Sequence, residues 1–126
     1  MRDRASFPAE LQSAAVARRH AEAVLASWGL DDARDVVRLL VSELVVNAVL
    51  HAGSAPELVM EQTDGAVRVG VADSSTDPPV KQEYSPTSPS GRGLMILDDL
   101  ADRWGVDHTE CGKVVWFELS VGEPGA

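Results

Sequence analysis

Cysteine is almost missing from this chain: Cys111 is the single one. No internal disulfide can form, and no cysteine-rich zinc site can be drawn. His20, His51 and His108 lack the spacing of metal ligands. No stretch approaches the roughly 20 apolar residues that span a bilayer, and the N-terminus carries no hydrophobic signal core. The expectation is therefore a reducing, cytoplasmic location. Cations are also scarce, with 11 Lys and Arg against 20 Asp and Glu and a net charge of −9. That balance argues against a protein that lives on phosphate backbones or anionic lipid. It suits a basic protein partner, or simply keeps the domain in solution. Internal repeats and low-complexity arrays are absent too.

What is present suits one domain: 126 residues, 44% of them hydrophobic, are enough for a single core. The expected domain is 1–126, with its core at about 7–120 and a flexible tail at 121–126. Met1–Ser6 is short and charged. Ala14, Ala17, Ala21, Val24 and Trp28 then recur at steps of three and four, which predicts a helix from about Ala9 to Trp28, ended by Gly29. Arg18, Arg19 and His20 face outward from it as a solvated patch. Asp31 and Asp32 cap a second helix, whose apolar set from Val36 to Ala48 runs on to Gly53.

Glu57–Glu61 reads as a strand, Asp64-Gly65 as a hairpin turn, and Ala66–Asp73 as a second strand. Residues Thr76–Ser90 hold several prolines and few apolar side chains, which predicts an irregular loop. Gly91-Arg92-Gly93 then opens a short helix through Leu94, Ile96, Leu97 and Leu100. Trp104–His108 and Lys113–Ser120 form a closing hairpin, with Val115, Phe117 and Leu119 on its core face. Lys113 and Trp116 are assigned to the other surface or an edge. Hairpins make an antiparallel sheet, and three helices can cover one of its faces. The predicted fold is α+β, a two-layer sandwich of an antiparallel sheet with helices on one face.

Three polar features interrupt the apolar pattern. Glu43 and Asn47 stand four residues apart, so they leave one face of the second helix a turn from each other, flanked by Leu40, Leu44, Val45 and Ala48. Burying either without a partner costs on the order of 1 to 3 kcal/mol, and more for the charge; the pair marks either a ligand site or a solvated helix face. Asp73 follows Val67, Val69 and Val71 at period two, which points its carboxylate toward the helix layer. Its alternative is a turn aspartate bonding its own backbone. A glycine pair at a helix start, Gly91 and Gly93, offers backbone N–H groups to an anion, or merely ends a loop. His51, one turn past Asn47, is near enough to approach a ligand, or is a favourable charge at a helix C-terminus. Glu43 and Asn47, Asp73, and the Gly91/Gly93 turn can converge at one end of the layer between helices and sheet. Spacing alone does not name what would bind there.

The stretch Ser42-Glu43-Leu44-Val45-Val46-Asn47-Ala48-Val49-Leu50-His51-Ala52-Gly53 resembles the asparagine box of the Bergerat-fold ATPases, the superfamily of gyrase, histidine kinases and bacterial anti-sigma factor kinases. Val69-Gly70-Val71-Ala72-Asp73 and Gly91-Arg92-Gly93-Leu94 match two further boxes in the expected order, and the likeness extends from about Phe7 to Leu119. It is nearest to the anti-sigma factor serine kinase branch. The resemblance implies ATP and Mg²⁺ as cofactors. Asn47 would hold Mg²⁺, Glu43 would orient or deprotonate the nucleophile, Asp73 would bind adenine, and Gly91, Arg92, Gly93 and Leu94 would lie at the triphosphate. It also implies transfer of the γ-phosphate to a Ser or Thr of an anti-anti-sigma protein, sequestration of a sigma factor, and possible homodimers. The chain departs from the pattern in two places: Ser74, Ser75 and Thr76 stand where many members have a Gly-x-Gly turn after the aspartate, and Pro89 stands where some kinase members carry arginine. The alternative reading is a nucleotide-gated protein-binding module without kinase activity. A third is a structural interaction domain that has lost nucleotide binding.

Overall fold

The computed structural model describes residues 1–52, 54–73, 97, 99–110 and 112–121. Strand β1 (Arg2–Ser6) leads into helix α1 (Ser13–Ser27), a 3₁₀ turn (Asp31–Ala33) and helix α2 (Arg34–Asn47). A single π turn (Ala48–Ala52) follows, then β2 (Glu57–Thr63), β3 (Ala66–Asp73), β4 (Arg103–Thr109) and β5 (Gly112–Ser120). The five strands form one sheet in the order β1-β2-β3-β5-β4, antiparallel at every pairing. The fold is the α+β sandwich that the alternation and the helical stripes predict.

The helices pack as a pair. Ala17, Ala21, Val24 and Leu25 of α1 are buried, as are Val37, Leu40, Val41, Leu44 and Val45 of α2. Alanines on the α1 stripe let the two backbones approach closely. Beneath them the inner face of the sheet supplies Leu58 and Met60, Val67, Val69 and Val71, and Val115, Phe117 and Leu119. Each fully buried large aliphatic or Phe side chain stabilises the fold by roughly 1.5 to 3 kcal/mol. The turn between α1 and α2 is closed by Gly29, at φ 73°, and by Leu30, whose N–H donates to the Leu25 carbonyl at 2.8 Å. Only a residue without Cβ takes that φ cheaply, and the bond is the six-to-one link of a Schellman cap.

Four expectations are corrected. The first helix starts at Ser13 rather than near Ala9, because residues 8–12 wind in turns held by Ser13 Oγ donating to the Pro8 carbonyl at 2.7 Å. The second does not continue as α-helix to Gly53; it changes to the π turn after Asn47. Met1–Ser6 is more than a charged lead-in, since Arg2–Ser6 pairs with Glu57–Glu61 as an edge strand. His20 is accordingly no solvated patch residue: its Nε2 meets Asp3 Oδ2 on β1, and its ring stands edge-on to Phe7 at 6.1 Å. The third helix falls mostly outside the described residues. Within them, Leu97 is helical and wholly buried, and its carbonyl accepts from Ala101 N–H at 2.9 Å.

The outer face of the sheet carries charge in alternation. Arg2 pairs with Glu61, Arg4 with Glu57, Arg103 with Glu118, and Arg68 with both Asp107 and Glu118. These pairs are largely exposed and contribute about 0 to 1 kcal/mol each. A hollow of about 240 Å³ on this face is lined by residues such as Val59, Gly70 and Trp116. It includes none of Glu43, Asn47 and Asp73 and lies across the sheet from the helices.

Candidate functional site

Glu43 and Asn47 lie on α2, both half-buried, beside the buried Leu40, Leu44 and Val45. Asn47 is the last residue of the α-helix proper. The chain widens immediately afterwards, and single π turns of this kind are frequent where a helix is shaped around a site. The cap N–H of Ala48 donates to both Leu44 and Val45 carbonyls, which ties the widened turn to the helix end.

Asp73 ends β3 on the inner face, continuing the row of Val67, Val69 and Val71. Its side chain is only 3% exposed. It is a strand residue in register with Lys113 of β5, and Lys113 Nζ lies 3.9 Å from Asp73 Oδ2. A carboxylate buried this deeply is costly unless its charge and lone pairs are met.

Two contacts bring these elements to one end of the molecule. Helix α2 packs on β3, and the π turn touches β3 as well. From Ala52 the chain enters β2 at Glu57, whose neighbour in the ladder is Ala72. Five peptide steps span at most roughly 18 Å. The Asn47 end of α2 and the Asp73 end of β3 therefore share one edge of the helix–sheet layer. Gly91, Arg92, Gly93 and Leu94, the loop Thr76–Ser90, Gly53 and the His51 side chain all lie outside the described residues.

Lys113 is the residue that the sequence reading misplaced. Its charge predicts a place on or near the outer surface or an edge, yet it is buried on the inner face with Val115, Phe117 and Leu119. The signal was available in the parity of the strand, because 113, 115, 117 and 119 alternate together. Hydrophobicity outweighed parity in that assignment.

Among the described residues no group of three or more His, Cys, Asp or Glu side chains could hold a metal ion. A hard cation here would rest on the Asn47 oxygen, water and the phosphates of a ligand, which is how Mg²⁺ is commonly held. Asp73 carries carboxylate oxygens, which accept hydrogen bonds when ionised, and Glu43 places a second carboxylate within a turn of Asn47.

Among solved structures the chain is similar to the RsbU and RsbW domains of Rv1364c from Mycobacterium tuberculosis, with a TM-score of 0.74 at 20% identity. The likeness covers 98% of this chain but only 33% of that one, and it shows a shared fold. An uncharacterized protein of Streptomyces coelicolor is 33% identical over 88 residues, which is 66% of this chain and 83% of the relative. The model of the histidine kinase-like ATPase domain matches residues 7–119, the span that takes in both helices and strands β2 to β5 with Glu43, Asn47 and Asp73 among them. By that match, the chain belongs to the histidine kinase-like ATPase domain family.

Proposed function

We propose that this single domain is an ATP- and Mg²⁺-dependent regulator of the anti-sigma factor type, working in the cytoplasm. It transfers the γ-phosphate to a Ser or Thr of an anti-anti-sigma protein and holds a sigma factor when that partner is absent. The observation that carries the reading is the buried Asp73 carboxylate at the same end of the layer as the Glu43–Asn47 pair, in a chain of an ATPase domain family.

Each residue has a role in that scheme. Asp73 accepts a hydrogen bond from the exocyclic amine of adenine. Asn47 offers its side-chain oxygen to the cation, and Gly91, Arg92, Gly93 and Leu94 line the phosphates. Glu43 takes the proton from the acceptor hydroxyl as general base. When bound, ATP supplies the phosphoryl group and Mg²⁺ neutralises charge on its oxygens, so the protein mainly positions and compensates charge. The likeness to an RsbW-containing structure supports the anti-sigma assignment, and homodimers belong to the same proposal.

A second reading is favoured by two sequence departures: Ser74, Ser75 and Thr76 in place of a Gly-x-Gly turn, and Pro89 in place of arginine. In it, nucleotide binding sets partner affinity and no phosphate moves. Incubation with labelled ATP, Mg²⁺ and a candidate anti-anti-sigma protein separates the two. Label on the partner protein supports the kinase; binding of nucleotide without transfer supports the gated module; no binding rejects both.

A further inference from the structure

Lys113 has no part in the scheme above, yet it is a lysine with its side chain only 9% exposed, against a carboxylate with its side chain only 3% exposed. The two are register partners on adjacent strands, with Nζ 3.9 Å from Oδ2. Among the described residues, the buried Val71 precedes Asp73 on its row and the buried Val115 follows Lys113. His108, the partner of Lys113 on β4, is exposed, Glu43 is half-buried on α2, and Glu57 and Asp107 pair with Ala72 and Val114 on the outer face.

A carboxyl group in such a setting takes the neutral form unless a cation stands beside it. The difference matters to a nucleobase. An ionised carboxylate only accepts hydrogen bonds, whereas the protonated acid also carries an O–H donor. Adenine presents an amine where guanine presents a carbonyl oxygen. An acceptor-only group therefore satisfies the first and repels the second, while a neutral acid can satisfy either.

We propose that Lys113 is a specificity-determining residue for the base: by pairing with Asp73 it keeps that side chain an obligate acceptor, and so makes the site reject guanine. The inference rests on the reading of Asp73 as the adenine partner. Lys113 acts through Asp73 and is a positioning residue. Its effect falls on the ratio of two affinities, which a general loss of structure would leave unchanged.

The test is titration of ATP and of GTP, each with Mg²⁺, against the full-length protein and the variants Lys113→Met and Lys113→Arg, with folding followed by circular dichroism. Wild type should prefer ATP by at least about tenfold. Lys113→Met should bring the two nucleotides to within about threefold, chiefly by admitting GTP, and Lys113→Arg should keep the wild-type ratio. Infrared spectra should show a protonated carboxylic acid band in Lys113→Met that wild type lacks and that vanishes when Asp73→Asn is added. A Lys113→Met protein that keeps the full preference, raises it, or weakens both nucleotides equally overturns the proposal. If Lys113→Met does not fold, loss of the preference in folded Lys113→Arg overturns it, and retention of the ratio supports it. A wild-type protein that binds neither nucleotide instead removes the underlying assignment of the site, a distinct failure visible before any variant is made.

Discussion

Gly105 and Trp116 face each other across β4 and β5, and the indole lies so close over the glycine that an added Cβ would meet its Cζ2 at 2.8 Å and its Cε2 at 3.0 Å. The Arg68 guanidinium sits 4.0 Å from the centre of the same ring, a cation–π contact that holds the indole from the neighbouring strand. These neighbours are ring atoms of a large, half-buried side chain, which cannot swing aside like the end of a lysine. Gly105→Ala should cost about 1 to 3 kcal/mol by overpacking. A urea denaturation midpoint equal to that of wild type would show that the sheet yields there without cost.

Glu43→Gln keeps the shape of the side chain and removes the base. Nucleotide binding should persist while phosphoryl transfer falls by about 10² to 10⁴. Transfer at the wild-type rate would remove Glu43 from the chemistry.

Asn47 is the point at which α2 gives way to the π turn, and its oxygen is the protein ligand of the cation in the proposed scheme. Calorimetry should find ATP binding weaker in chelator than in Mg²⁺, and Asn47→Ala should narrow that difference in a protein that stays folded. Equal affinity with and without the metal in wild type would refute the metal role.

For Asp73, a hydrogen bond to a charged group contributes about 1.5 to 3 kcal/mol, which corresponds to roughly a ten- to hundredfold preference for ATP over GTP. Asp73→Asn can turn a donor toward guanine and should weaken ATP while closing the gap. Competition titrations that show the variant with an undiminished preference would mean that the base is read elsewhere.

The sheet and both helices were legible in the sequence where side chains alternate or recur strongly. Val67, Val69 and Val71 identify both the strand and its inner face, and the Asp64-Gly65 turn is where β2 meets β3, with Gly65 at φ 74°. Strand β1 left no such mark. Its five residues, Arg-Asp-Arg-Ala-Ser, bury little, and what makes them a strand is a ladder to β2 more than 50 positions away. Its Asp3 then gives His20 a partner that no local pattern announces. The change of helix type after Asn47 was equally hidden, since an apolar period of 3.6 looks alike on α and π turns over one cycle. Lys113 shows the opposite failure: the period was plain, and the charge drew the residue to the wrong side.

Among the described residues, strand β1 is also one of the two margins of the sheet, with β2 on one side and no strand beyond it. A bare margin of this kind is a template on which another molecule can add a strand. Here it is five residues long and carries Arg2 and Arg4, each tied to a glutamate on β2. A strand approaching to extend the sheet meets two guanidinium groups in quick succession, held in place by their partners. Charge on an edge strand disfavours such addition, so Arg2 and Arg4 can matter between molecules even though their ion pairs add little to the stability of a single one.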